Sequence, residues 1–157
     1  MIAEVIASLL VLRQHAPIIT VIAGTVGCFG GMSLVAGLSS YIIMTPEARL
    51  GLNGAEVIEQ ESGIEEFDSS DRALIWAING GEQRVGMGLA DELVEDDATK
   101  IAAVLKKYVE AGLPRVYRSQ QVGLYRERIA ALDVSKQIDP LRLRGSWGAA
   151  KKSGGER

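Results

Sequence analysis

Gly24-Thr25-Val26-Gly27-Cys28-Phe29-Gly30-Gly31-Met32 joins two sequence periods. Before it, Pro17-Ile18-Ile19-Thr20-Val21-Ile22-Ala23 is a β-branched run that reads as a buried strand. After it, Met32-Ser33-Leu34-Val35-Ala36-Gly37-Leu38-Ser39 reads as a small-residue helix packed closely on that strand. A strand passing through glycine into a helix predicts an α/β crossover unit, with sheet packing on both faces of the strand. Glycine at the junction lets backbone approach a bound oxygen, and the head of the following helix points N–H groups towards it. The stretch reads as a cradle for a substrate oxygen, which makes an enzyme the first expectation.

Upstream, Ile2, Val5, Ile6, Leu9 and Leu12 form a broad apolar stripe on a helix predicted to end near His15, before Pro17. Glu4 and Arg13 interrupt this apolar opening and no basic stretch leads into it, so a packed helix is expected rather than a membrane or targeting segment. A further strand beside the 17–24 run, from upstream or from another chain, is also expected.

Downstream, Tyr41-Ile42-Ile43-Met44 is a second strand candidate and Arg49-Leu50-Gly51-Leu52 a short extended piece. Asn53-Gly54 signals a turn before a short helix over 55–60. Ser69 or Ser70 is placed to cap a helix over 71–78, with Asp71 near its positive end. Asn79-Gly80-Gly81 interrupts that helix before a brief helical turn from Glu82 to Met87. Residues 90–96 read as an edge-like segment. A helix over 98–110 carries Ile101, Val104, Leu105 and Tyr108 on one face, with Asp96-Asp97 read as its cap rather than as a metal pair. Gly112 and Pro114 open a linker running to Gln121. Val122, Tyr125, Ile129 and Leu132 then return to helical spacing, as in a docking helix. Apolar periodicity is lost from Gly145 onward, which predicts a mobile tail with Trp147 as its last anchor. The organisation expected is a domain over 1–134 and a tail over 135–157.

The chain of 157 residues suits one substantial α/β core. A net charge of −3 argues against a nucleic-acid surface. With one cysteine, Cys28, and one histidine, His15, neither a disulfide framework nor a two-histidine metal motif is available, and no metal is expected.

Several blocks together carry a resemblance: Gly27-Cys28-Phe29-Gly30-Gly31-Met32, Arg49-Leu50-Gly51-Leu52-Asn53-Gly54-Ala55-Glu56-Val57-Ile58-Glu59, Gly63-Ile64-Glu65-Glu66-Phe67-Asp68-Ser69-Ser70-Asp71-Arg72-Ala73-Leu74 and Leu93-Val94-Glu95-Asp96-Asp97. The chain resembles the carboxyltransferase-type β subunit of biotin-independent malonate decarboxylase, within the crotonase-like group, and the similarity continues through Leu132. The resemblance implies a β-β-α spiral fold, of which this chain corresponds to the later portion. It also implies completion by a complementary N-terminal segment or another copy, since the family places another oxyanion donor and a Ser-Gly-Gly-type loop upstream. Further implied are a γ decarboxylase subunit, an acyl-carrier protein bearing a phosphopantetheine-type prosthetic group, cytoplasmic localisation, and a reaction without biotin or metal. Neither nucleic acid nor membrane enters this set of partners.

The implied chemistry converts a malonyl thioester on the carrier into an acetyl thioester. As CO2 departs, the thioester carbonyl gains enolate charge, which backbone N–H donors can stabilise without an ionisable nucleophile. Gly30 and Gly31 are the candidate catalytic donors, with Gly27 and Cys28 shaping the substrate's approach. Arg49 and Arg72 are candidates for anionic groups, because guanidinium supplies rigid charge-assisted donors, although each also suits a structural role. Glu56 and Glu59 share a helix face and are candidates for orienting a polar substrate region or bracing the glycine turn. A carboxylate beside malonate would repel it, so Glu56 is a poor catalytic acid. Cys28 lacks a Cys-His-acid setting, and His15, Met32, Met44 and Trp76 read as surface or packing residues. The alternatives are a biotin-dependent acyl-CoA carboxyltransferase subunit and a catalytically inactive structural half-domain.

Overall fold

The computed structural model describes residues 1–153. Helix α1 (Ile2–Leu12) precedes a unit repeated in space: β1 (Ile19–Ile22), β2 (Gly27–Cys28) and α2 (Gly31–Leu38), then β3 (Tyr41–Met44), β4 (Arg49–Leu50) and α3 (Ala55–Ser62). Strand β1 pairs in parallel with β3, Ile19 opposite Tyr41, and β2 pairs in parallel with β4, Gly27 opposite Arg49. Both pairings span the same 22-residue step, so each β-β-α unit is one coil of a spiral whose first and second strands build two separate sheets. This is the spiral expected from the sequence.

Helices α4 (Arg72–Asn79) and α5 (Gly81–Gly86) intervene before β5 (Glu92–Leu93), which pairs in parallel with β3 and completes the sheet order β1-β3-β5. The central strand is the fully buried one. Ile42, Ile43, Met44 and the following Thr45 are sealed from solvent, as a parallel strand covered on both faces requires. Ile22, Ala36, Ala48 and Ala90 close the core around it, and the Asp91 carboxylate accepts from the Ile42 N–H at 2.7 Å.

Several expectations need correcting. Strand β1 forms, but it is an edge strand: only Ile22 is buried, and Val21 is 36 % exposed. Helix α1 packs only on α2 and buries Leu9 alone, leaving Ile2, Val5, Val11 and Leu12 exposed. An almost wholly apolar helix beside an open sheet edge is a surface made for cover. The cap of α4 is Asp71, whose side chain accepts from the Leu74 N–H, rather than Ser69 or Ser70. Asp97 caps α6 (Ala98–Ala111) as expected.

The expected mobile tail is instead largely helical. After α7 (Val122–Ala130), helix α8 (Pro140–Ser153) packs on α4 and α5. Asp139 accepts from the Leu141 N–H and Pro140 opens the helix, a favoured start. Gln83 donates to the Pro140 carbonyl at 2.8 Å, and Trp147 is buried, the anchor expected of it. Residues 154–157 lie outside those described.

Candidate active site

The glycine turn lies between β2 and α2. Gly30 adopts φ 59° and ψ −137°, a conformation open to glycine and costly for other residues, and α2 starts at the next residue. Two bonds tie the turn to the segment after β4: the Gly30 N–H donates to the Leu52 carbonyl at 2.8 Å, and the Gly51 N–H donates to the Cys28 carbonyl at 3.2 Å. The Ser33 hydroxyl and N–H both donate to the Gly30 carbonyl, at 2.7 and 3.1 Å. The Gly30 N–H, expected to serve as an oxyanion donor, is therefore spent on protein. Gly31 heads the helix, where the first N–H groups have no intrahelical acceptor.

A depression of about 280 Å³ runs alongside, lined by the 20–23 strand, Gly27, Cys28, Met32 and Ala36. Gly27 faces the Phe29 ring so closely that a Cβ there would collide with it, so this glycine is required by packing. Cys28 is half-buried, and burial pushes its thiol pKa up, the opposite of what a nucleophilic cysteine needs. Cys28→Ser in the assembled enzyme is therefore expected to keep turnover within about twofold, with slow alkylation of the native thiol at neutral pH. A large loss of turnover would give the sulfur a chemical role.

Arg49 and Arg72 meet on one aromatic ring. Their guanidinium carbons lie 4.8 and 5.2 Å from the Trp76 centroid, Arg49 also donates to the Thr25 carbonyl at 3.0 Å, and the Trp76 indole donates to the Glu47 carbonyl at 3.1 Å. Cation–π stacking fixes both arginines without neutralising them. The structure thus brings together two cations that the sequence places 23 positions apart. Glu56 is exposed in the first turn of α3, whereas Glu59 accepts from the Ser69 N–H at 2.7 Å and so braces that loop rather than the glycine turn.

Sequence reasoning missed Arg84. It lies in α5 and donates through Nε to the Leu50 carbonyl at 2.7 Å and through Nη2 to Asn79 Oδ1 at 2.6 Å, linking the end of α4 to β4. Nothing in the brief helical pattern after Gly81 marks this arginine as inward-facing. Among the described residues, no group of three or more His, Cys, Asp or Glu side chains is placed to hold a metal, and no helix is long and apolar enough to cross a membrane.

Parallel β-β-α coils with a glycine turn heading a helix define a crotonase-like fold of the carboxyltransferase type. The chain is homologous to malonate decarboxylase subunits within that superfamily. It superposes on a chain of the Pseudomonas malonate decarboxylase hetero-tetramer solved with malonate, at a TM-score of 0.88 and 48% identity, over 92% of this chain and 52% of that one. A chain of the Pseudomonas MdcD-MdcE hetero-dimer matches at a TM-score of 0.72 and 44% identity, over 82% of this chain and 52% of that one. The malonyl-S-ACP:biotin-protein carboxyltransferase MADC of Malonomonas rubra is 34% identical over 151 residues, 94% of this chain and 48% of that protein. The chain thus spans about half the length of these relatives. No family model matches it.

Proposed function

We propose that this chain supplies one half of the oxyanion site of a malonate decarboxylase β subunit acting on malonyl-S-acyl-carrier protein. The observation that carries the reading is the Gly30–Gly31 turn heading α2, in a fold that superposes on a malonate decarboxylase chain at a TM-score of 0.88. The Gly31 N–H is the donor from this chain. The bond between the carboxylate carbon and Cα breaks, its electron pair moves into the thioester as an enolate, and CO2 leaves. Protonation of Cα by solvent then yields the acetyl thioester. The Gly31 donor is worth most when charge builds on the carbonyl oxygen, so it lowers the barrier more than it tightens substrate binding.

A second donor comes from a complementary segment or copy seated along the open β1 edge and the apolar face of α1. Arg49 and Arg72, held on Trp76, meet anionic groups of the carrier or its phosphopantetheine arm, and Glu56 orients a polar region of that substrate. Gly27 and Cys28 form one wall of the acyl approach. No biotin or metal takes part, the γ subunit and carrier protein complete the assembly, and the setting is cytoplasmic acyl metabolism.

Transfer of the carboxyl group to a biotin-protein is the second reading, favoured by the name of the Malonomonas relative. The higher identity to the Pseudomonas chains favours decarboxylation. The test is to combine this chain with its partner subunits and malonyl-carrier and to follow CO2 and acetyl-carrier. Equal release of both without biotin-protein is expected. Turnover that appears only when biotin-protein is added would move the chain to the second reading, and verified assembly with no turnover would leave a structural half-domain.

Helix α7 is the proposed docking element, since Val122 and Ile129 are 57% and 58% exposed at helical spacing. Replacing Tyr125 and Ile129 together by serine is expected to weaken association with the partner subunit about tenfold or more, read by calorimetry. Unchanged affinity would show that α7 does not contact the partner.

A further inference from the structure

A second cavity, of about 380 Å³, lies on the face of α2 turned away from the glycine-turn groove. Met32 and Ala36 face the groove, whereas Ser33 and Gly37 face this cavity, a division the helical repeat imposes. Its charges do not balance. Arg84 lines it with two N–H groups engaged by neutral carbonyl oxygens, and among the described residues no carboxylate pairs with it. Arg118, also in the wall, pairs with Asp91, yet its Nε is buried and has no partner. Asp91 is already shared with the Ile42 N–H. A third guanidinium, Arg13, donates to the lining Ser119 hydroxyl at 3.1 Å and to the Leu38 carbonyl at 2.9 Å, again without a carboxylate.

Three guanidinium groups around one carboxylate leave an excess of partly buried positive charge, and such charge is costly unless paired. Arginine stays protonated under these conditions, so the imbalance is relieved by an anion rather than by loss of a proton. The rest of the wall, Ile42, Leu50 and Leu89, is apolar. We propose that this cavity is a binding site for a small carboxylate anion carrying a short apolar body, with the carboxylate taken by Arg84 and Arg118 and the body held by the aliphatic wall. Carboxylate geometry matches the planar guanidinium fork. A free phosphate satisfies the charge but leaves the apolar wall unfilled. The site lies across α2 from the oxyanion turn and does not rest on the decarboxylase reading.

The test titrates the 157-residue chain with butyrate and with inorganic phosphate by calorimetry. Butyrate has a single carboxylate, so its binding is independent of malonyl chemistry. Saturable butyrate binding is expected, with phosphate about tenfold weaker or more. Arg84→Met removes the unpaired charge and is expected to abolish binding. Gly37→Leu fills the cavity from a position where an added Cβ meets open space and a helical glycine is lost, so it folds even if the arginine variant does not. It is expected to weaken butyrate binding at least about tenfold. Absence of saturable binding to the native chain, phosphate binding as tight as butyrate, or butyrate affinity unchanged in Gly37→Leu would each overturn the assignment.

Discussion

Gly31→Val is expected to lower malonyl-carrier turnover of the assembled enzyme by about 10²-fold or more, with little change in its melting temperature. Gly31 is the first residue of α2 and has no left-handed backbone, and a Cβ there meets only the Ile2 side chain at 3.2 Å, a neighbour able to shift. The branched side chain therefore stands in front of the N–H that the carbonyl oxygen needs, without unfolding the turn. Gly30→Ala makes the contrasting case. Nothing crowds its Cβ, but φ 59° with ψ −137° strains any side chain, so about 1–3 kcal/mol of stability is expected to be lost. Comparing kcat and unfolding midpoints for the two variants separates donor from turn. Native turnover in Gly31→Val would remove this residue from the oxyanion site.

Trp147→Ala is expected to destabilise the chain by about 3 kcal/mol, seen as a lower urea midpoint with an unchanged slope. Trp147 is 9% exposed and stacks with Arg128 of α7 at 5.6 Å from the ring centroid, so it fastens α8 to its surroundings. A loss below about 0.5 kcal/mol would make residues 135–153 an appendage beyond the boundary expected at 134.

The part of the fold that the sequence displays is the part set by local pattern. Tyr41-Ile42-Ile43-Met44 is a continuous apolar run and forms the buried central strand; Asp97 ahead of a clear amphipathic face forms a cap. Helix α8 follows no such pattern. Gly145 and Gly148 depress its propensity, and it forms because a bare Gly148 approaches the Gly86 carbonyl, which a Cβ would meet at 2.7 Å. That is tertiary packing overriding local preference. In the site, the glycine turn and the two stacked arginines stand among the residues singled out from sequence, but which N–H is free depends on a bond to Leu52, 22 positions away from Gly30. Arg84 was hidden for the same reason: its partners, Leu50 and Asn79, come together only when the second coil closes.

The uniform 22-residue step of the coils also governs how the chain reaches this structure. Each parallel pairing closes a short stretch of chain, so the entropic cost of bringing β1 to β3 is small and is met again at the same size by β2 and β4. Contacts at this modest separation favour rapid folding, with the first coil serving as a template for the second. The spiral is therefore suited to winding up in order as the chain leaves the ribosome, coil after coil from the amino end, well before α8 is available to lock the far side.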